Sequence, residues 1–255
     1  MKLYARQQGE GADLISVHGL FGSQENLGAI NRKLSEQFRV HGLDVRNHGR
    51  SPHSEEMNYS AMAADIIEYM DSMKLEQACL LGHSMGGKIV METALRYPER
   101  VGKLAVMDIA PVRYLERRHD EIFDGLFSLD LSRVKNRSEA DRALQAYVQE
   151  TSIRQFLLKN LYRSDNGGFA WRMNLAVIHR HYQDILDGQH SSTSFQGEVL
   201  FLKGGDSDYM QPSHRDEVLS LFPNASVRII TGTGHWLHAE KPELVSGALL
   251  RFFLS

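Results

Sequence analysis

Leu80-Leu81-Gly82-His83-Ser84-Met85-Gly86-Gly87 is the stretch whose reading decides the fold. Upstream, Glu76 to Leu81 is short, contains Cys79, Leu80 and Leu81, and predicts a strand. Downstream, Lys88 to Tyr97 places apolar residues near helical spacing and ends before Pro98. Gly-x-Ser-x-Gly between a strand and a helix is the pattern of a nucleophile elbow. Such a turn holds its serine in strained dihedrals, so its neighbours must lack a Cβ. It leaves Oγ exposed at a helix N-terminus, where amide N–H groups and the dipole favour negative charge. With Gly and Ser near 7% each, the bare pattern arises by chance in roughly one chain in ten of this length. The strand before and the helix after therefore carry the reading of Ser84 as a nucleophile over a plain glycine-rich turn.

Working outward, similar strand-to-loop junctions recur. Lys2 to Arg6 alternates as an edge strand and turns at Gly9-Glu10-Gly11. Leu14 to Val17 is a strand running into His18-Gly19-Leu20-Phe21-Gly22-Ser23, with a helix from near Asn26-Leu27. That loop is either a plain turn or the source of a backbone donor from Leu20, the second donor being the N–H of Met85. Phe38 to Leu43 is a strand followed by the loop Asp44 to Pro52, in which His48 reads as a loop anchor. Tyr59 to Met73 is a helix with Ser60 as N-cap. Val101 to Ile109 is a strand ending at Asp108-Ile109-Ala110-Pro111.

After Pro111 the alternation stops. From Val112 to Ser194 there is no convincing strand, and helices are expected over 141–149, 153–161 and 173–186. Asp165-Asn166-Gly167-Gly168 is expected to turn. His179 and His181 cannot share a helix face, which argues against a metal site there. Alternation resumes with a strand over 199–203, a loop over 204–210, a helix over 212–221 and a strand over 226–230. The loop Gly232 to Trp236 and the helix Pro242 to Phe253 close the chain. Repeated βα units imply an α/β fold, a mostly parallel sheet with helices on both faces. Residues 1–112 and 194–255 form its core, and 113–193 an inserted helical cap, or lid, over the catalytic edge.

The 255 residues suffice for one large α/β domain with an insertion. A net charge of −3 argues against a nucleic-acid footprint. The single cysteine, Cys79, excludes a disulfide framework and a thiolate zinc cluster, and reads as a small core residue. The N-terminal residues lack the apolar run of a signal peptide, and no apolar run of about 18 residues occurs. A soluble cytoplasmic protein, monomer or homodimer, is expected.

A serine hydroxyl needs a base at neutral pH. Of the 12 histidines, His235 follows a strand between flexible glycines and completes the order Ser, acid, His. His83 and His238 are its rivals. The acid must accept the Nδ1–H of the base, and both Asp108 and Asp208 follow strands and precede His235.

The strand-ending motifs His18 to Ser23, Asp44 to Gly49, Gly82 to Gly87, Asp108 to Pro111 and Gly234 to Pro242 resemble the α/β-hydrolase superfamily, closest to the bacterial YbfF-type esterases. In most of the superfamily the acid comes from the later loop, which matches Asp208. The YbfF-type resemblance instead implies Asp108, with a supporting serine matching Ser207. This chain has both aspartates; Asp108 is favoured and Asp208 is the alternative. The implied activity is hydrolysis of short- to medium-chain carboxylic esters through an acyl-enzyme, with a small-molecule ester or thioester as substrate. No cofactor and no metal is required. An acyl-CoA thioesterase, a C–C lyase of the same fold and a non-enzymatic binding protein are the other readings. A haloalkane dehalogenase would need a carboxylate where Ser84 stands.

Overall fold

The computed structural model describes residues 1–165 and 167–255. In chain order the strands are β1 (Ala5–Gln8), β2 (Ala12–Val17), β3 (Phe38–Leu43), β4 (Ala78–His83), β5 (Val101–Met107), β6 (Leu161–Arg163), β7 (Phe169–Trp171), β8 (Glu198–Gly204) and β9 (Ala225–Ile230). Seven of them form one sheet in the order β1-β3-β2-β4-β5-β8-β9, in which only β1 runs antiparallel. The central strands are apolar at nearly every position because helices cover both faces. Side chains still alternate: Ile15, Leu80, Leu104 and Phe201 enter one core cluster, and Leu14, Leu81, Ala105 and Leu200 the other.

The principal helices are α1 (Gly28–Leu34), α2 (Tyr59–Ser72), α3 (Met85–Arg96), α4 (Asp120–Ser128), α5 (Arg137–Leu144), α6 (Thr151–Leu158), α7 (Leu175–Arg180), α8 (Tyr182–Leu186), α9 (Arg215–Leu221), α10 (Leu237–Glu240) and α11 (Pro242–Phe253). α2 and α3 pack on one sheet face, α1 and α11 on the other. The N-cap of α2 is Asn58, not Ser60. Asn58 is extended and its side chain accepts the Ala61 N–H at 2.8 Å, whereas Ser60 lies inside the helix and accepts from Arg96.

The stretch from Val112 to Ser194 departs from expectation in several places. It contains a strand pair, β6 and β7, whose three-residue arms are too short to leave an alternating signature. The helix expected over 173–186 breaks at His181 into α7 and α8. The helix expected over 141–149 begins earlier, because Asn136 caps it by accepting the Glu139 N–H at 3.0 Å. Helix α4 was not anticipated. The turn expected over 165–168 includes Asn166, which lies outside the described residues.

Lys88 on α3 joins the two points where this stretch leaves and re-enters the sheet. Its ammonium, 1% exposed, donates to the carbonyls of Val112 at 2.8 Å, Leu186 at 3.4 Å and Asp187. It lies 4.8 Å from the Tyr114 ring centroid and 5.7 Å from that of Tyr59. Burial pushes its pKa down to about 7. Lys88→Met leaves these carbonyls without their donor. The expected result is a loss of about 1–3 kcal/mol, measured as a lower urea midpoint with an unchanged m-value.

Candidate active site

Parallel register brings the strand ends to one edge. Val17 pairs with Gly82, His83 with Met107, Met107 with Leu202, and Gly204 with Ile230. The residues that follow these strands therefore meet: His18, Ser84, Asp108, Ser207 and His235.

Ser84 sits between β4 and α3 with φ 54° and ψ −123°, the strained turn expected of an elbow. The turn is possible because a Cβ on Gly82 would strike the Gly86 carbonyl, and one on Gly86 the Val17 carbonyl. Ser84 Oγ lies 2.9 Å from His235 Nε2, and His235 Nδ1 lies 2.8 Å from Asp108 Oδ2. Asp108 is fully buried at φ 52°; its Oδ1 accepts the Gly204 N–H at 2.8 Å, and Oδ2 also accepts from Ser207 Oγ.

The two candidate acids part here. Asp208 is 63% exposed and pairs with Arg118 at 2.6 Å, an arrangement that holds its carboxyl below the usual range. Its side chain makes no hydrogen bond to His235. The rival histidines also occupy other places. His83 Nε2 bonds the His235 carbonyl at 2.9 Å, and its ring packs on His238 at 4.3 Å. Burial keeps both well below ordinary histidine values, His238 at about 3.

Leu20, Ser84 and Met85 line one small cavity of about 30 Å³. Met85 opens α3, so its N–H has no intrahelical acceptor, and the Leu20 N–H has no bonded acceptor among the described residues. The 18–22 loop is held by two neutral histidines. His18 Nε2 accepts the Val45 N–H at 3.1 Å, leaving Nδ1–H for the Gly19 carbonyl at 2.8 Å. His48 Nε2 accepts the Phe21 N–H at 3.2 Å while Nδ1–H faces the Arg46 carbonyl at 3.0 Å. His48 is thus a loop anchor.

Two residues escaped the sequence reading. The Tyr209 ring stacks on His235 at 3.9 Å, 19° from parallel. Tyr114 hydroxyl accepts the Ala110 N–H at 3.0 Å and donates to the Tyr209 carbonyl at 2.6 Å, tying the loops after β5 and β8 together. The adjacency of Tyr209 to Asp208 was the only available signal. Ser84 and His235 open onto a cavity of about 210 Å³ lined also by Arg118, His119, Ile122 and Phe156 from the 112–194 stretch. Cys79 is half-buried against the second core cluster, and His179 packs on Phe123 and Phe127 while His181 binds Asp184 and the Glu55 carbonyl. Among the described residues no group of three or more His, Cys, Asp or Glu could hold a metal ion, and no helix is long and apolar enough to cross a membrane.

Burial holds His18 and His119 at about 4, and His48 and His238 at about 3, all below the ordinary 6.5. Below pH 6.5 the unfolded chain binds protons that these folded sites refuse. Their contribution to stability is therefore intact above about pH 6.5 and is lost towards pH 4. The expected loss is about 1 kcal/mol per histidine per pH unit, read from urea midpoints at pH 7, 6 and 5.

Comparison with known proteins identifies the family. A family model described as the alpha/beta hydrolase fold matches residues 14–242. Esterase YbfF of Escherichia coli is 39% identical over 97% of this chain and 95% of its own. The sn-1-specific diacylglycerol lipase ABHD11 of Xenopus laevis is 40% identical over 95% of this chain and 80% of its own. A solved marine microorganism esterase superposes with a TM-score of 0.96 at 38% identity, covering 98% of this chain and 99% of that one. The chain thus belongs to the α/β-hydrolase fold family, and within it to the esterase and lipase type.

Proposed function

We propose that this carboxylic ester hydrolase works through a Ser84–His235–Asp108 triad and an acyl-enzyme. The observation that carries the reading is the unbroken chain from Ser84 Oγ through both nitrogens of His235 to the buried Asp108 carboxylate. His235 Nε2 takes the Ser84 proton as Oγ attacks the ester carbonyl. Asp108 accepts the Nδ1–H, which selects the tautomer and offsets the positive imidazolium. Ser207 and the Gly204 N–H keep the carboxylate aimed. The oxyanion forms between the N–H groups of Leu20 and Met85, where one donor is worth about 3–4 kcal/mol. His235 then returns the proton to the departing alcohol. Water repeats the attack and frees Ser84.

Residues 113–193 act as a cap over the edge formed by 1–112 and 194–255. Support comes from the cap residues in the wall of the Ser84 cavity and from the clamp that Lys88 makes on both ends of the stretch. The cavity, about 210 Å³, is below the roughly 300–1,000 Å³ of drug-sized ligand pockets, which suits short- to medium-chain acyl groups.

Hydrolysis of p-nitrophenyl esters of graded length tests the proposal. Ser84→Ala is expected to lower kcat by about 10⁶-fold and Asp108→Asn by about 10⁴-fold. Asp208→Asn removes an exposed ion pair worth at most about 1 kcal/mol and is expected to stay within about fivefold of wild type. The reverse order for the two aspartates would move the acid to Asp208.

A further inference from the structure

A second cavity, about 190 Å³, shares Phe21, Gly22 and Asn26 with the catalytic cavity. Four cations line it: Arg50 from the loop after β3, and Arg137, Lys159 and Arg172 from the cap. None of the four makes an ion pair with a carboxylate among the described residues, whereas Arg46, Arg118, Arg154 and Arg180 each do. In a chain of net charge −3, a group of unpaired cations around one cavity does not follow from a surplus of positive residues.

The arginines are held by neutral groups, which set their positions without consuming their charge. Arg50 Nη1 donates to Tyr4 hydroxyl at 3.1 Å, and its guanidinium lies 5.0 Å from that ring centroid. Arg137 Nη2 donates to the Leu161 carbonyl at 2.8 Å. Arg172 lies 4.7 Å from the Tyr162 ring centroid. Two carboxylates, Glu25 and Asp44, also line the cavity. Asp44 is buried and spends its oxygens on the N–H groups of Gln24 and Arg50. Four cations against two carboxylates leave the lining positive.

We infer that this cavity is a subsite for a phosphate group on the leaving half of the substrate, a reading that rests on Ser84 as the acylated residue. The acyl carbon meets Ser84, and the phosphoryl oxygens sit among Arg50, Arg137, Lys159 and Arg172. Three guanidinium forks and an ammonium match the several oxygens and double charge of a phosphate; a single carboxylate could engage only one fork. The phosphate could belong to an acylated glycerol phosphate or to a nucleotide-bearing thioester, and both present the same chemistry to the subsite.

Matched substrate pairs with one acyl chain test it. 1-Octanoylglycerol 3-phosphate is compared with 1-octanoylglycerol, and octanoyl-CoA with octanoyl-N-acetylcysteamine. Wild type is expected to favour the phosphorylated member of at least one pair by about tenfold in kcat/KM, and the pair affected identifies the source. The triple variant Arg137→Ala, Lys159→Ala, Arg172→Ala is expected to raise KM for that member about tenfold while p-nitrophenyl octanoate turnover stays within about twofold of wild type. Equal kcat/KM within both pairs, or the same loss on p-nitrophenyl octanoate, overturns the inference. If no ester is hydrolysed, the triad reading fails separately. Calorimetric titration of Ser84→Ala with inorganic pyrophosphate then decides the subsite: binding abolished by the triple substitution upholds it, and no binding overturns it.

Discussion

The hydrogen bond between the buried Asp108 carboxylate and His235 is the interaction on which the site depends. It joins the loop after β5 to the loop after β9, two strands that do not pair with each other. The intervening strand β8 closes the gap, since its Gly204 N–H and the following Ser207 hydroxyl both point at the same carboxylate. A buried carboxylate is costly unless its lone pairs are satisfied, and here strand register supplies the partners. Asp108 N–H bonds the Leu202 carbonyl at 2.8 Å, and Ser84 N–H the Met107 carbonyl at 3.0 Å, so both residues are extensions of the sheet ladder. A one-residue slip in β5 would send Asp108 to the other face.

Most of this frame was legible in the sequence because its signals are local. The elbow needs glycines at fixed offsets from Ser84, and each parallel strand declares itself by a short apolar run before a glycine-rich loop. β3 and α11 fall where patterning put them. What was illegible depends on contacts between distant residues. Asp108 and Asp208 are equally good by position, with only the resemblance favouring Asp108, and the fold shows Asp108 facing His235 and Asp208 drawn out by Arg118. The stacking of Tyr209 and the bridge of Tyr114 are of the same kind. Between Val112 and Ser194, helices are short, and their limits follow single capping side chains such as Asn136 more than any periodicity.

Electrostatics divide the region into three. Around His18, His48, His83 and His238, burial keeps imidazoles neutral, and nitrogens of the first three serve as fixed donors and acceptors for the loops. His235 alone faces a buried carboxylate and an open serine. Beyond Phe21 and Gly22, the cavity wall turns cationic. Lys88 ties both ends of the 112–187 stretch to α3, and Arg137, Lys159 and Arg172 of that stretch line one cavity with Arg50 from the loop after β3.

Covalent trapping tests the central claim most directly. Wild-type protein is treated with a fluorophosphonate, which reacts with activated serines, and the labelled residue is located by peptide mass spectrometry. The account predicts one label per chain, on Ser84, with labelling slowed severely by Asp108→Asn and little changed by Asp208→Asn. Absence of label on Ser84, or equal labelling of wild type and Asp108→Asn, would contradict it.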